Sequence, residues 1–138
     1  MAEKPEQIDP ANLGNGIVDP SKYCVYSGDG GLPARMFADQ DISLLVWNLQ
    51  PGQENSTHAH PERAHTLVML TGSGLYVFGE KQETVPVKQG DYIIVPRGTV
   101  HGMRNTGSEP LSYLTISNNN QAQNVRTPVG EQARMGGR

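Results

Sequence analysis

The feature that most constrains this chain is its punctuation. Short runs of β-favouring residues follow one another from Ile42 onward, and each is closed by glycine, proline or asparagine. Ile42 to Leu49 ends at Pro51-Gly52, and His65 to Thr71 ends at Gly72-Ser73-Gly74. Leu75 to Phe78 turns at Gly79-Glu80-Lys81 and returns through Thr84 to Val87. Tyr92 to Val95 stops at Pro96-Arg97-Gly98, Val100 to Arg104 stops near Asn105-Thr106-Gly107, and Leu111 to Ile116 closes the series. Runs of this length with turn signals between them predict antiparallel strands, and no window sustains the 3.6 period of a helix. The 16 glycines and 10 prolines among 138 residues supply the turns. An all-β sandwich or small barrel follows. Leu67-Val68-Met69-Leu70 is apolar at consecutive positions. This predicts that both faces of the strand are covered, one inside the barrel and one by a second sheet or subunit.

The ends read differently. Residues 1–20 carry Pro5, Pro10, Gly14, Gly16 and Pro20 without sustained periodicity and are expected to form an arm. Residues 21–117 make the barrel, and residues 118–138 form a polar tail. Eleven Lys+Arg against 14 Asp+Glu leave a net charge of -3, so no basic field draws the chain to nucleic acid or to anionic lipid. No stretch is apolar enough to span a membrane, the N-terminus lacks a signal-type apolar run, and the single Cys24 cannot form an intrachain disulfide. The expectation is a cytoplasmic protein with no nucleic-acid or membrane partner.

Chemistry concentrates in the histidines. His58, His60 and His65 fall within eight residues, and the fourth, His101, opens a later run. In an extended segment residues i and i+2 leave on one face, so His58 and His60 point the same way. Counting by alternation, Met103 and Asn105 share the face of His101, and Leu67, Met69 and Thr71 share that of His65, which predicts an apolar lining without a carboxylate. Tyr76, Tyr92 and Tyr113 are the candidate hydroxyl donors. Glu62 and Arg104 read as exposed charges, Cys24 as a small buried hydrophobe, and Trp47 as packing.

Two blocks frame the histidines. The first is Gly52-x5-His58-x-His60-x4-His65-x6-Gly72, and the second is Gly90-x5-Pro96-x-Gly98-x2-His101-x3-Asn105. In this order and spacing the chain resembles the cupin superfamily, with one departure: His65 stands where most cupins carry a glutamate. The motifs span residues 52–105, and the flanking strand pattern extends the resemblance to about residues 30–117. The resemblance implies a double-stranded β-helix, or jelly-roll barrel, a homodimer, and one divalent transition metal per chain. His58, His60 and His101 then take the three histidine ligand positions and His65 the glutamate position. Gly52, Gly72, Gly90 and Gly98 serve turns that need positive φ or close packing.

Imidazole accepts Fe, Mn, Ni, Cu and Zn, so the donor set does not choose among them. Four neutral ligands leave the ion its full double charge, which favours an anionic, chelating small-molecule substrate. The leading expectation is a dioxygenase acting on an enol-, diketone- or phenol-like substrate. A Lewis-acid lyase, isomerase or cyclase, similar to the polyketide-cyclase cupins, is the alternative, and a non-enzymatic small-molecule-binding barrel is the third.

Overall fold

The computed structural model describes residues 3–119, and residues 120–138, which hold most of the expected tail, lie outside the described residues. Nine strands form two antiparallel sheets: β1 (Leu32–Ala38), β2 (Ile42–Leu49), β3 (Glu54–His58), β4 (His65–Thr71), β5 (Ser73–Phe78), β6 (Glu83–Lys88), β7 (Tyr92–Val95), β8 (His101–Arg104) and β9 (Leu111–Asn118). The larger sheet has the order β1-β2-β9-β4-β7 and the smaller the order β3-β8-β5-β6. This is the jelly-roll barrel expected from the sequence.

The seven expected runs are all strands, and β1 and β3 join them at the sheet edges. Their sequences hide them. Pro33 cannot donate to a ladder and is tolerated because β1 pairs only with β2 among the strands, and a register shift between Arg35 and Phe37 breaks its alternation. Glu54-Asn55-Ser56-Thr57-His58 is polar throughout, held in place by pairing with β8.

The barrel core lies between the sheets and is built from Leu49, Leu67, Met69, Tyr76, Val87, Val95, Met103, Leu111 and Tyr113. Burying side chains of this size contributes about 2 kcal/mol each. One turn between the sheets is dictated by space as well as by φ: at Gly72 (φ 81°) a Cβ would lie 2.8 Å from Leu111 Cα and closer still to the Pro110 carbonyl.

A second cluster covers the outer face of the larger sheet, where Ala34, Met36, Phe37 and Val46 pack with Tyr23, and Ile8, Val18, Cys24, Leu70 and Leu114 lean against them. Leu70, on the outer side of β4, packs against this cluster, to which the chain's own N-terminal segment contributes Tyr23. That segment is more than a loose arm. It contains two 3-10 turns, Pro10–Asn12 and Pro20–Tyr23, each capped by an aspartate, and the Ile8 N–H donates to the Met36 carbonyl at the edge of β1. A buried polar chain ties it to the sheet. Tyr26 Oη and Ser112 Oγ are 2.6 Å apart, Ser112 Oγ donates to Asn48 Oδ1 (2.6 Å), and Asn48 Nδ2 donates to the carbonyls of Tyr23 (3.0 Å) and Leu32 (3.1 Å).

Candidate metal centre

All four histidines come together at one end of the barrel, between the two sheets. His58 closes β3, His60 lies in the loop that follows, His65 opens β4 and His101 opens β8. Pairing of β3 with β8 sets His58 opposite His101, with ring centroids 4.5 Å apart. His60 is pinned by its own carbonyl, which accepts the N–H groups of Gly98 (3.0 Å) and Arg63 (3.3 Å), and its ring lies 4.8 Å from that of His58. His65 sits 4.7 Å from His60 and 5.5 Å from His101, centroid to centroid.

Hydrogen bonding prepares these rings to act as ligands. The Nδ1 atoms of His58 and His101 lie 2.6 and 2.9 Å from the carbonyls of Ser56 and Thr99. A carbonyl only accepts, so both rings hold their proton on Nδ1 and turn an unprotonated Nε2 toward the centre. Donor nitrogens of His58, His60 and His101 all lie within 4.8 Å of one another. That is close to the roughly 4 Å span of two nitrogens on opposite sides of one ion. His65 stands beside this trio. Both of its ring nitrogens are buried without a hydrogen-bond partner among the described residues. Each polar group left unpaired in this way costs about 1–3 kcal/mol. An ion on one of those nitrogens relieves that cost, so the residues present fit a divalent transition metal.

Electrostatics points the same way. Burial, and then the neighbouring His60, His101 and His58, lower the pKa of His65 from 6.5 to about 4. Burial also lowers His60, assisted by His58, His101 and Arg63, and it lowers His101 against the opposing pull of the Thr99 carbonyl. These shifts bias His60, His65 and His101 toward the uncharged, ligating form.

The rings open onto a cavity of about 200 Å³. No carboxylate lines it among the described residues, as expected, yet its walls are more polar than alternation suggested. Met69 and Met103 belong to the core, and Asn105 is occupied with the carbonyls of Leu49 (2.9 Å) and Glu109 (2.8 Å). The walls instead carry Arg35, Ser43, Asn55, Arg63, Thr115 and Ser117, with Trp47, Leu45 and Leu67 as the apolar part. Trp47 thus serves the cavity as well as packing. Arg35 was beyond reach because its strand was. Ser43, Thr115 and Ser117 carried a signal, small hydroxyls at inward positions of otherwise apolar strands.

Of the three tyrosines, Tyr113 alone lines the cavity, accepting a hydrogen bond from Asn55 Nδ2 (2.9 Å), and burial raises its pKa so that the phenol stays protonated. Tyr76 is a core residue stacked on Phe78, and Tyr92 is exposed on β7. Glu62 is exposed in its turn, Cys24 is half-buried within the N-terminal segment against the outer cluster, and Arg104 reaches Glu54 at 3.6 Å on the surface.

The family model of the cupin domain matches residues 45–117. This chain belongs to the cupin family. The germin-like protein subfamily 2 member 2 of Arabidopsis thaliana is 32% identical to this cupin over 80 residues, 56% of this chain and 36% of that protein. The gentisate 1,2-dioxygenase of Ralstonia sp is 33% identical over 84 residues, 59% of this chain and 22% of that enzyme. The cupin thus spans well under half the length of these curated relatives. A conserved Klebsiella pneumoniae protein with a double-stranded β-helix domain superposes with a TM-score of 0.71 at 28% identity, covering 77% of this chain and 91% of that one. No helix among the described residues is long and apolar enough to cross a membrane.

Proposed function

We propose that this cupin is a metal-dependent enzyme whose ion is held by His58, His60, His101 and His65, and that it acts as a dioxygenase on a small enol-, diketone- or phenol-like substrate. The observation that carries the reading is the convergence of four imidazoles, two of them with Nε2 left free by their carbonyl partners, on one cavity. The likeness to a gentisate 1,2-dioxygenase over 59% of the chain supports the choice of oxygen chemistry. Bound there, a transition ion supplies Lewis acidity and, for Fe, Mn or Cu, electron transfer with dioxygen.

The protein's own contribution is orientation and exclusion. Ser56 and Thr99 fix two ligand tautomers, and Leu45, Trp47 and Leu67 keep one wall dry. The Tyr113 hydroxyl offers its proton to the cavity because Asn55 already donates to its oxygen. That protonated phenol is the observation that favours the second reading, a Lewis-acid lyase, isomerase or cyclase that needs a proton donor. Oxygen uptake separates the two. Metal-loaded protein given diketones, catechols and alkenyl phenols is expected to consume oxygen in step with substrate, and turnover without uptake rejects the dioxygenase. A homodimer belongs to the same proposal and is tested by sedimentation equilibrium.

A further inference from the structure

We propose that the cavity takes a substrate bearing a carboxylate, and that Arg35 is the residue that reads it. This deepens the reading of the cavity as a substrate site and rests on it. The cavity walls contain two guanidinium groups, Arg35 and Arg63, and no acidic side chain. The ion pairs among the described residues are Lys88 with Asp91 and Arg104 with Glu54, so neither cavity arginine is balanced by a carboxylate of the protein. Arg63 lies near the imidazoles and is anchored at the rim, donating through Nη2 to Asn119 Oδ1 (2.9 Å). Arg35 is anchored differently, and its position is informative.

Strand register places Arg35 across from Leu45, then Thr115, then Leu67 on the inner face of the larger sheet. One row nearer the imidazoles the same register aligns Ser43, Ser117 and His65. Arg35 Nη1 donates to Ser43 Oγ, so its side chain leans out of its own row into the row that ends at His65. Two strand spacings, about 10 Å, separate Ser43 from His65. The floor between them is the buried hydroxyl of Ser117. A cation at one end, imidazole ligands at the other and hydroxyls beneath match a small organic acid whose far end faces the imidazoles. A planar guanidinium donates two parallel hydrogen bonds to a carboxylate, and one of its nitrogens is already oriented by Ser43.

The surroundings reinforce the sign. Arg35, Leu45 and Trp47 also line a separate open hollow of about 400 Å³, whose walls include Lys4 and again no acid. A protein of net charge -3 thus concentrates unbalanced positive charge along the walls of this cavity.

Trp47 makes the test direct, because it is the chain's one tryptophan and lines both spaces. Its fluorescence is titrated with benzoate and with the neutral isostere benzamide, on full-length protein both metal-loaded and chelator-treated, with metal content measured on each sample. Benzoate is expected to bind at least tenfold more tightly than benzamide in both forms. In the chelator-treated form Arg35→Gln is expected to abolish that preference with the melting temperature unchanged, and Arg35→Lys to restore part of it. Equal affinity for the two probes, absence of benzoate binding, or an undiminished preference in Arg35→Gln overturns the proposal. Because chelator-treated protein carries the preference through Arg35, failure of the metal reading shows as absent metal with the preference intact. Failure of the arginine shows as bound metal without it.

Discussion

Removing the titration of His65 is expected to blunt the acid sensitivity of the metal-free protein by a calculable amount. The imidazole is 8% exposed, and its pKa falls from 6.5 to about 4 on folding because burial and the other three histidines oppose its charge. The unfolded chain therefore binds a proton that the folded chain refuses. This stabilisation is fully present above about pH 6.5 and is lost progressively as the pH falls toward 4. At about pH 5 the unfolded imidazole is almost fully charged and the folded one is about one-tenth charged. The difference amounts to about 2 kcal/mol relative to about pH 7.5. His65→Gln keeps a neutral polar group of similar size and has nothing to titrate. Urea unfolding of chelator-treated protein at the two pH values gives the loss for each protein. Wild type is expected to lose about 2 kcal/mol more than His65→Gln, and the exposed carboxylates, present in both, cancel. An equal loss in the two proteins would refute the assignment of His65 as a buried, neutral imidazole pressed by its neighbours.

Three further outcomes test other parts of the structure. Asn48→Leu strands the Tyr23 and Leu32 carbonyls and breaks the link to Ser112. Urea denaturation is then expected to show a loss of about 3 kcal/mol, with the N-terminal segment more exposed to protease. Gly72→Ala combines a left-handed φ with contact against the backbone of Pro110 and Leu111 that cannot yield. It is expected to cost about 3 kcal/mol or more in the same assay. Metal at a thousandfold excess over its Kd is expected to stabilise the wild-type protein by about 4 kcal/mol at neutral pH. His58→Ala, which removes one Nε2 donor, is expected to lose most of that increment in calorimetry.

Much of this cupin was legible along the chain. Ile42–Leu49, His65–Thr71 and Tyr92–Val95 occupy the residues their turn signals delimit, since glycine and proline end strands by their own backbone chemistry, whatever surrounds them. The histidine block was legible for a similar reason: His58 and His60 are two residues apart, and a short segment holds them together with little help. The covering role of the N-terminal segment was not legible because its contacts are distant. Nothing around Ile8, Tyr23 or Tyr26 states that they will cover the outer face of β2 and β9, whose Val46, Asn48, Ser112 and Leu114 receive them.

The sequence by itself therefore determined the β class, most strands and the grouping of His58, His60 and His65, because each depends on residues near one another in the chain. Only the tertiary structure decided what faces those histidines. Arg35, Ser43 and Ser117 reach one cavity through the register of β1, β2 and β9. A register is set by pairing between segments, and β2 and β9 lie at opposite ends of the barrel sequence. A shift of one residue in β1 would turn Arg35 to the other face and leave the cavity without the cation on which its proposed specificity depends.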